Sequence, residues 1–184
     1  MEKLLIGLSG RRRSGKSEVG KILVRDHGFT LLEFGRIVME LLLKINPQMV
    51  ANRGMIYHVR ELYDLVGYEG FKEHKEGLRL LQDFGVAVRE VDPLFWVLQM
   101  QDRIMDTEGN VVLTGVRFPN ELQMIRGLDG YIVGVERYGI VLNDHETEKH
   151  VDDFDTDVII HNDGTLSDLS VTVSDMIKEI RATR

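Results

Sequence analysis

The chain has 184 residues, of which 43% are hydrophobic and 29% charged, and these values are typical of one globular domain with a full hydrophobic core. The formal net charge of -7 at pH 7 argues against a protein that coats nucleic acid, because such binding needs a broad basic surface. The absence of cysteine excludes disulfides and thiolate metal sites. There is no long apolar run and no signal segment before the first strand pattern, so the sequence predicts a cytoplasmic protein.

The predicted elements begin with a strand, a helix and a second strand. The apolar run 3–8 predicts a buried strand, residues 15–26 have an apolar helical face, and residues 29–34 predict the second strand. A long stretch with helical periodicity follows, and Pro47 and Pro93 mark two of its breaks. Its predicted helices cover residues 36–45, 55–66, 69–91 and 94–105.

The second half of the chain alternates strands and helices more regularly. Its predicted strands cover residues 110–114, 131–136 and 157–161, and its predicted helices cover residues 120–127 and 166–181. Thr165 and Asp168 have the spacing of a capping box at the start of the last helix. The segment 137–156 is polar and irregular.

Five short apolar strands separated by helices predict an α/β fold, in which helices cover both faces of a parallel sheet. We therefore expect a single domain over residues 1–184. Two connections are longer than such a sheet requires, namely the helical stretch 36–105 and the polar segment 137–156. Connections of this size in a compact domain usually serve as lids or substrate clamps.

One segment fits the nucleotide-binding pattern G-x-x-x-x-G-K-[ST] at every fixed position, and it lies between a predicted strand and a predicted helix. Glycines let successive backbone N–H groups surround a phosphate, and the start of the helix directs positive charge at the same phosphates. In this pattern the lysine reaches the outer phosphates and the last hydroxyl ligates Mg²⁺. The segment therefore predicts binding of a nucleoside triphosphate, and its residues are Gly10, Arg11, Arg12, Arg13, Ser14, Gly15, Lys16 and Ser17.

Phosphoryl transfer needs positive side chains, because its transition state spreads negative charge over the phosphoryl oxygens. Arg117 and Arg137 each follow the carboxyl end of a predicted strand, where ligands bind in open α/β sheets. Together with Lys16 they are the candidate catalytic residues. Arg36 follows the second predicted strand in the same way.

The helical stretch offers three more candidates, Arg79, Gln82 and Arg89. Gln82 comes three residues after Arg79 and therefore lies on the same helix face. On that face the arginine would hold a phosphate and the glutamine would read a base edge. The alternative for all three is a solvated helix surface.

Further segments resemble the phage-type deoxynucleoside monophosphate kinases, which are relatives of adenylate and thymidylate kinase. The matching segments are residues 79–85 with Arg89, 92–93 leading to Trp96, 116–121, and 157–160 with 162–165. A fifth, weaker match covers residues 144–148. Together with the ATP-binding segment they follow the order of the family over most of the chain. The stretch Arg-Phe-Pro-Asn-Glu at 117–121 is the most specific of them.

The resemblance implies a P-loop kinase fold with strand order 2-3-1-4-5, an acceptor-binding insert at about 36–105 and a lid at about 137–156. It implies ATP- and Mg²⁺-dependent phosphorylation of deoxynucleoside monophosphates (dNMPs) to diphosphates, in the host cytoplasm if the gene belongs to a phage. Members of the family often form homodimers. Neither a nucleic-acid polymer nor a membrane is an expected partner.

The resemblance also implies roles for individual residues. Ser17 ligates the metal, Asn162 lies beside the nucleotide, and His145 and Glu148 belong to the lid. A metal site at His145 and Glu148 is disfavoured, because there is no second histidine at helical spacing and no cysteine. The implied acceptor-binding residues are Arg36, Arg79, Gln82, Arg89, Arg117 and Glu121.

The chain departs from the family at Gly115. The family usually has an aspartate at this place, two residues before the arginine of the 117–121 stretch, where it helps to hold Mg²⁺. Another carboxylate or water molecules would then complete the metal shell, since Mg²⁺ keeps several waters and needs few protein ligands. The alternatives are a kinase of another small phosphorylated acceptor or modified nucleotide, and a catalytically inactive ATP-binding module. A GTPase is disfavoured, because no N-K-x-D segment follows a strand.

Overall fold

The computed structural model of the chain describes residues 3–50, 54–139 and 154–183. These residues form two compact units, one made of residues up to Glu33 together with those from Gln101 onward, and one made of residues 34–100. We call them the sheet unit and the helical unit. The helical unit covers nearly the same residues as the predicted acceptor-binding insert, and the organisation as one functional domain stays a prediction.

The sheet unit contains five parallel strands and three complete helices. The strands are β1 (Leu5–Ser9), β2 (Thr30–Glu33), β5 (Val111–Thr114), β6 (Tyr131–Glu136) and β7 (Val158–His161). The complete helices are α1 (Lys16–His27), α6 (Pro119–Gly127) and α7 (Leu166–Ala182). In space the strands follow the order β2-β5-β1-β6-β7, which is 2-3-1-4-5 when only the strands of this sheet are counted. The predicted α/β class and strand order are therefore confirmed.

The core of the sheet unit lies between the sheet and the pair α1 and α7. Alternate residues of the strands point to this side, because successive side chains of a strand alternate between the two faces. Ile6, Leu8, Val112 and Val133 are fully buried here against apolar residues of both helices. The spacing that predicted a capping box at the start of α7 is confirmed, since Thr165 Oγ1 accepts from Asp168 N at 3.2 Å and Asp168 Oδ2 accepts from Thr165 N at 2.9 Å.

The helical unit contains a short antiparallel hairpin and packed helices. The hairpin strands are β3 (Gln48–Val50) and β4 (Ile56–His58), and the helices are α2 (Phe34–Ile45), α3 (Val59–Glu73), α4 (Lys75–Val91) and the first half of α5 (Phe95–Asp106). The predicted helix at 55–66 begins too early, because residues 56–58 form β4. Strands of three residues are too short to show alternation, so periodicity could not reveal this hairpin.

A second correction concerns the predicted helix at 69–91. His74 has φ -73° and ψ 123° and ends α3, and its ring Nδ1 accepts a hydrogen bond of 3.3 Å from Gly77 N at the start of α4. A break predicted between residues 66 and 69 does occur, since Gly67 inside α3 has the non-helical values φ 68° and ψ -178°. Glycine allows this kink because it has no Cβ. No helix within the described ranges is long and apolar enough to cross a membrane.

Candidate active site

The segment between β1 and α1 forms a tight loop that requires glycine at two positions. Gly10 has φ 144° and Gly15 has φ 108°, values that side chains strongly disfavour. A Cβ atom at Gly10 would collide with the carbonyl oxygen of Val135, and one at Gly15 would collide with the amide of Asn162. The backbone conformation and the close neighbours at these two positions therefore explain why the sequence pattern requires glycine at both.

Lys16 is the first residue of α1, and its side chain turns back onto the loop. Its Nζ donates hydrogen bonds of 2.6 Å to the carbonyl oxygens of Gly10 and Arg11, and only 9% of the residue is exposed. A buried ammonium group is costly unless hydrogen bonds satisfy it. The loop thus holds a positive charge at the amino end of a helix whose first N–H groups have no acceptor within the helix.

Asn162 connects the end of the last strand to this loop. Its backbone N–H donates to the carbonyl oxygen of Glu136 at 2.8 Å, which extends the β6–β7 ladder by one residue. Its side-chain Nδ2 donates to the carbonyl oxygen of Ser14 at 2.9 Å, in a buried position. The position that the sequence assigned to the nucleotide is therefore in direct contact with the loop.

Two buried hydroxyl groups lie beside the same loop. Ser9 and Ser14 are each 1% exposed, and neither hydroxyl has a hydrogen-bond partner within residues 3–50, 54–139 and 154–183. Buried polar atoms are normally satisfied, so such orphaned groups are often completed by water, an ion or a ligand. Sequence reasoning did not single out Ser9, because a serine at the end of a strand is common.

A cavity of about 470 Å³ opens next to these hydroxyls, within the usual range for small-molecule sites. Ser9 at the end of β1 lines it together with Gly10, Arg11 and Ser14 of the loop. Glu136 at the end of β6 and Arg137 after it line another part. Tyr138 and Phe154 add aromatic rings. Two arginines and one glutamate give the lining a net charge of about +1, which suits an anionic phosphate group.

Arg117 follows β5 and begins the stretch that leads into α6. Its backbone N–H donates to Glu121 Oε2 at 2.8 Å, and the N–H of Phe118 donates to the same oxygen at 3.3 Å. Glu121 is fully buried. Its carboxylate therefore caps the start of α6 and fixes the backbone that carries Arg117, while its predicted contact with the acceptor stays a prediction.

In the helical unit, Arg36 belongs to a cluster of charged and aromatic side chains. Its guanidinium lies 4.4 Å from the ring centroid of Tyr68, and the Lys72 ammonium lies 4.7 Å from the same centroid. Glu69 is 3.9 Å from Arg36 and 3.3 Å from Lys72. Sequence reasoning missed Tyr68 and Lys72, although their spacing of four residues on a helix places them on one face.

Arg79 is held by carboxylates of its own helix. It contacts Glu76 at 2.8 Å and Asp83 at 2.7 Å, and its hydrogen bond lowers the pKa of Glu76 below the ordinary value. Gln82 and Arg89 on the same helix are half-buried. His145, Glu148 and most of the predicted lid lie outside the described residues, so their roles stay predictions.

The structure brings several predicted residues of the sheet unit together. The loop from Gly10 to Ser17 contacts Asn162 and shares its cavity with Arg137. Arg36, Arg79, Gln82 and Arg89 belong to the helical unit. The ligand roles of all these residues stay predictions.

Comparisons with known proteins place these features in a wider context. Two proteins of Ictalurid herpesvirus 1 (strain Auburn), both described as uncharacterized, match part of the chain. The protein ORF77 is 33% identical over 102 residues, covering 51% of this chain and 45% of the viral protein. The protein ORF76 is 30% identical over 111 residues, covering 55% of this chain and 46% of the viral protein. The match thus spans less than half the length of each viral protein.

Solved structures resemble the chain along nearly all its length at low identity. The protein TT1252 from Thermus thermophilus has a TM-score of 0.51 at 18% identity, with 97% of this chain and 98% of that one covered. A gluconokinase from Sinorhizobium meliloti 1021 has a TM-score of 0.50 at 12% identity, with coverage of 98% and 97%. These likenesses support the predicted P-loop kinase fold and nothing more specific.

The family comparison is more specific than the structural one. A sequence model of the family described as deoxynucleotide monophosphate kinase matches residues 70–173, which is more than half of the chain. The match includes the stretch at 117–121, both predicted strands after it and the start of the last helix. The chain therefore belongs to the deoxynucleotide monophosphate kinase family.

Proposed function

We propose that the protein phosphorylates dNMPs to diphosphates with ATP and Mg²⁺. The observation that carries the proposal is the loop from Gly10 to Ser17, which holds the buried ammonium of Lys16 and lines a cavity of about 470 Å³ with Gly10, Arg11 and Ser14. The family and the fold support a phosphotransferase. The nature of the acceptor is the finer part of the proposal.

The triphosphate of ATP is assigned to the loop. Backbone N–H groups at the start of α1 supply an anion site whose positive end faces the phosphates. Lys16 exchanges its two carbonyl acceptors for phosphate oxygens, which carry full negative charge and bind it more strongly. Arg11 and Arg137 line the cavity, and we assign them to neutralise charge on the transferring group.

The residues at the loop also fit Mg²⁺. This ion prefers hard oxygen donors, retains several waters and takes few protein ligands. Ser17 offers a hydroxyl in the first turn of α1, and the orphaned Ser9 hydroxyl lies at the adjacent strand end. When bound, Mg²⁺ would neutralise charge on the phosphate oxygens. Ser17 is the residue that we assign to hold it.

Recognition of the acceptor is assigned to arginines. In the sheet unit the backbone N–H of Arg117 donates to Glu121, and this hydrogen bond fixes the position of the Arg117 Cα from which the side chain extends. In the helical unit Arg36 lies on Tyr68, and stacking on an aromatic ring holds a guanidinium plane in one orientation.

Little covalent work falls to the protein in this reaction. Holding two anions in line and excluding water supplies most of the rate enhancement.

The proposal is tested by incubating the protein with ATP, Mg²⁺ and each common dNMP or ribonucleoside monophosphate, and separating the nucleotides by ion-exchange chromatography. We expect one or more dNMPs to be converted to diphosphates with an equal amount of ADP formed. ADP formation only with another phosphorylated acceptor would show that the acceptor is wrong. ATP binding without turnover of any acceptor would show an inactive module, for which the glycine at position 115 is the motivating observation.

A further inference from the structure

Several carboxylates lie at the carboxyl edge of the sheet, and Glu33 is one of them. Glu33 ends β2, and its Cα pairs with that of Thr114 at the end of β5. The two strands nearer the loop end without a carboxylate, because β1 leads into Ser9-Gly10 and β5 into Thr114-Gly115. Glu33 is half-buried, so its charge is only partly screened by water.

The contacts of α1 show which face of the sheet Glu33 is on. A Cβ atom at Gly20 would lie 3.3 Å from Leu31 Cδ1 and 3.4 Å from Thr114 Cγ2. The side chains of Leu31 and Thr114 therefore point to the face that α1 covers. Glu33 comes two residues after Leu31. Because side chains alternate along a strand, the Cα–Cβ bond of Glu33 points to that same face.

The position of Ser17 follows from the same contacts. It precedes Gly20 by three residues, which places both on one face of α1. Because α1 begins at the loop, Ser17 lies about 4.5 Å closer to the carboxyl edge of the sheet than Gly20 does. Glu33 is displaced from Leu31 in the same direction by about 6.6 Å. Ser17 therefore lies in the first turn of α1 and Glu33 on the sheet face that α1 covers, and both are displaced toward the carboxyl edge.

The other carboxylates at this edge are placed differently. Val135 belongs to the core beneath α1 and α7. Glu136 is the next residue of the strand, so its Cα–Cβ bond points to the opposite face. It also lies 3.5 Å from His161. Asp163 accepts a hydrogen bond of 2.7 Å from the backbone N–H of Tyr138. Glu33 therefore ends its strand on the face that α1 covers, whereas Glu136 ends its strand on the opposite face.

We propose that Glu33 supplies the carboxylate that acts with Ser17 to hold the Mg²⁺ of the bound nucleotide. A carboxylate is the protein group that Mg²⁺ binds best, and one or two suffice when phosphates and waters fill the other positions. The inference rests on the proposed function, because it requires a nucleotide on the loop. It assigns to the end of β2 a role that the end of β5, with Gly115, has no side chain to perform.

The test measures how much Mg²⁺ strengthens nucleotide binding, without any turnover. ADP affinity is determined by calorimetry in excess Mg²⁺ and again in EDTA, for the parent protein, Glu33→Gln and Glu108→Gln. Glu108 is an exposed glutamate before the opposite, amino end of β5, so its variant controls for loss of one negative charge. Thermal unfolding checks that each variant is folded, and Glu33→Asp keeps the charge on a shorter side chain.

We expect Glu33→Gln to lower the gain in affinity due to Mg²⁺ by about 10-fold or more, as is typical for groups that support a metal. Affinity in EDTA should be unchanged or slightly stronger, Glu108→Gln should behave like the parent, and Glu33→Asp should be intermediate. An unchanged Mg²⁺ effect in Glu33→Gln, or equal losses in Mg²⁺ and EDTA, would overturn the inference. Failure of the parent to bind ADP in either condition would instead count against the proposed function.

Discussion

The side-chain amide of Asn162 donates a 2.9 Å hydrogen bond to the carbonyl oxygen of Ser14, although the two residues are 148 positions apart in the chain. The bond joins the residue after β7 to the middle of the loop from Gly10 to Ser17. It is buried, and the Asn162 amide also occupies the space that a side chain at Gly15 would need. The shape of the loop therefore depends on the last strand of the sheet as well as on its own glycines.

We expect Asn162→Ala to weaken both the fold and ATP binding. The Ser14 carbonyl would lose its donor in a buried place, which costs about 1–3 kcal/mol of unfolding free energy. Asn162→Asp should cost more, because a carboxylate cannot donate and would be buried near a carbonyl oxygen. Urea unfolding and ATP titration measure the two effects. Parent-like stability of both variants would show that the bond contributes nothing.

Lys16→Met should reduce phosphoryl transfer by on the order of 10²-fold or more, because a cation aimed at developing charge is lost. Methionine keeps much of the length and removes the charge. Stability should change little, since Gly10 and Arg11, whose carbonyls accept from Lys16, are partly exposed and water can replace the lost ammonium. The measurement is turnover under saturating ATP with thermal unfolding as the check. A folded variant with near-normal turnover would show that the loop has been assigned to the wrong ligand.

Arg117→Ala should damage turnover or acceptor binding by at least about 10-fold while ATP affinity stays within a few-fold. The reason is that Arg117 follows β5 and is separate from the loop that we assign to ATP. Arg25→Ala is the matched control, since Arg25 lies at the far end of α1 and pairs with Asp26 on the surface. Separate titrations with ATP analogue and dNMP decide the matter. A loss of affinity for the ATP analogue alone would assign Arg117 to the ATP site instead of the acceptor site.

Gly115→Asp should not reduce the Mg²⁺ concentration needed for half-maximal rate, because Glu33 already supplies the carboxylate. Gly115 has φ 81°, so any side chain strains the backbone by about 1–2 kcal/mol, with Asn and Asp among the best tolerated residues. Gly115→Asn has the same backbone cost without the charge and is therefore the control. If Gly115→Asp needs several-fold less Mg²⁺ than Gly115→Asn, the metal shell lacks a carboxylate in the parent.

The stability of the protein should fall in mild acid partly through His27. Partial burial lowers the pKa of His27 below its ordinary value of 6.5, and the nearby Arg181 and Lys178 lower it further against the opposing effect of Asp26. The unfolded chain then binds a proton more readily than the folded one. Unfolding free energy therefore decreases as the pH falls from 6.5 through the lower pKa of the folded state.

His27→Gln tests this expectation, because glutamine can still reach the Ser174 hydroxyl, which lies 3.2 Å from His27 Nε2, but does not titrate. Unfolding free energies of both proteins are measured at about pH 7.5 and about pH 5.5, on either side of the ordinary histidine pKa. The difference between the two pH values should be smaller in the variant. An equal difference in the parent and the variant would mean that the pKa of His27 is the same in the folded and unfolded states.

Much of the sheet unit was predictable, because its strands are short apolar runs and its loop has a fixed residue pattern. The strand order came from the family resemblance, since periodicity says nothing about which strands pair. The contact of Asn162 with the loop could not be predicted from spacing, because it joins residues from opposite ends of the chain. Such contacts depend on the sheet register, which is a property of the folded state.

The helical unit was predicted less well. Helical periodicity identified its helices, but the strands Gln48–Val50 and Ile56–His58 were missed and the cap at His74 was not recognised. Histidine is not among the usual capping residues, so its ring acceptor gave no signal. The stacking of Arg36 on Tyr68 depends on the packing of two helices, and a single sequence does not specify that packing.

Transfer of labelled phosphate from γ-labelled ATP to a dNMP, with Lys16→Met measured in parallel, tests whether the protein is a dNMP kinase that uses the loop from Gly10 to Ser17. We predict that the label appears in a deoxynucleoside diphosphate, that transfer requires Mg²⁺, and that Lys16→Met is slower by on the order of 10²-fold or more. Label found only in inorganic phosphate would contradict the proposed dNMP kinase activity, and transfer at equal rates in the parent and Lys16→Met would contradict the role assigned to Lys16.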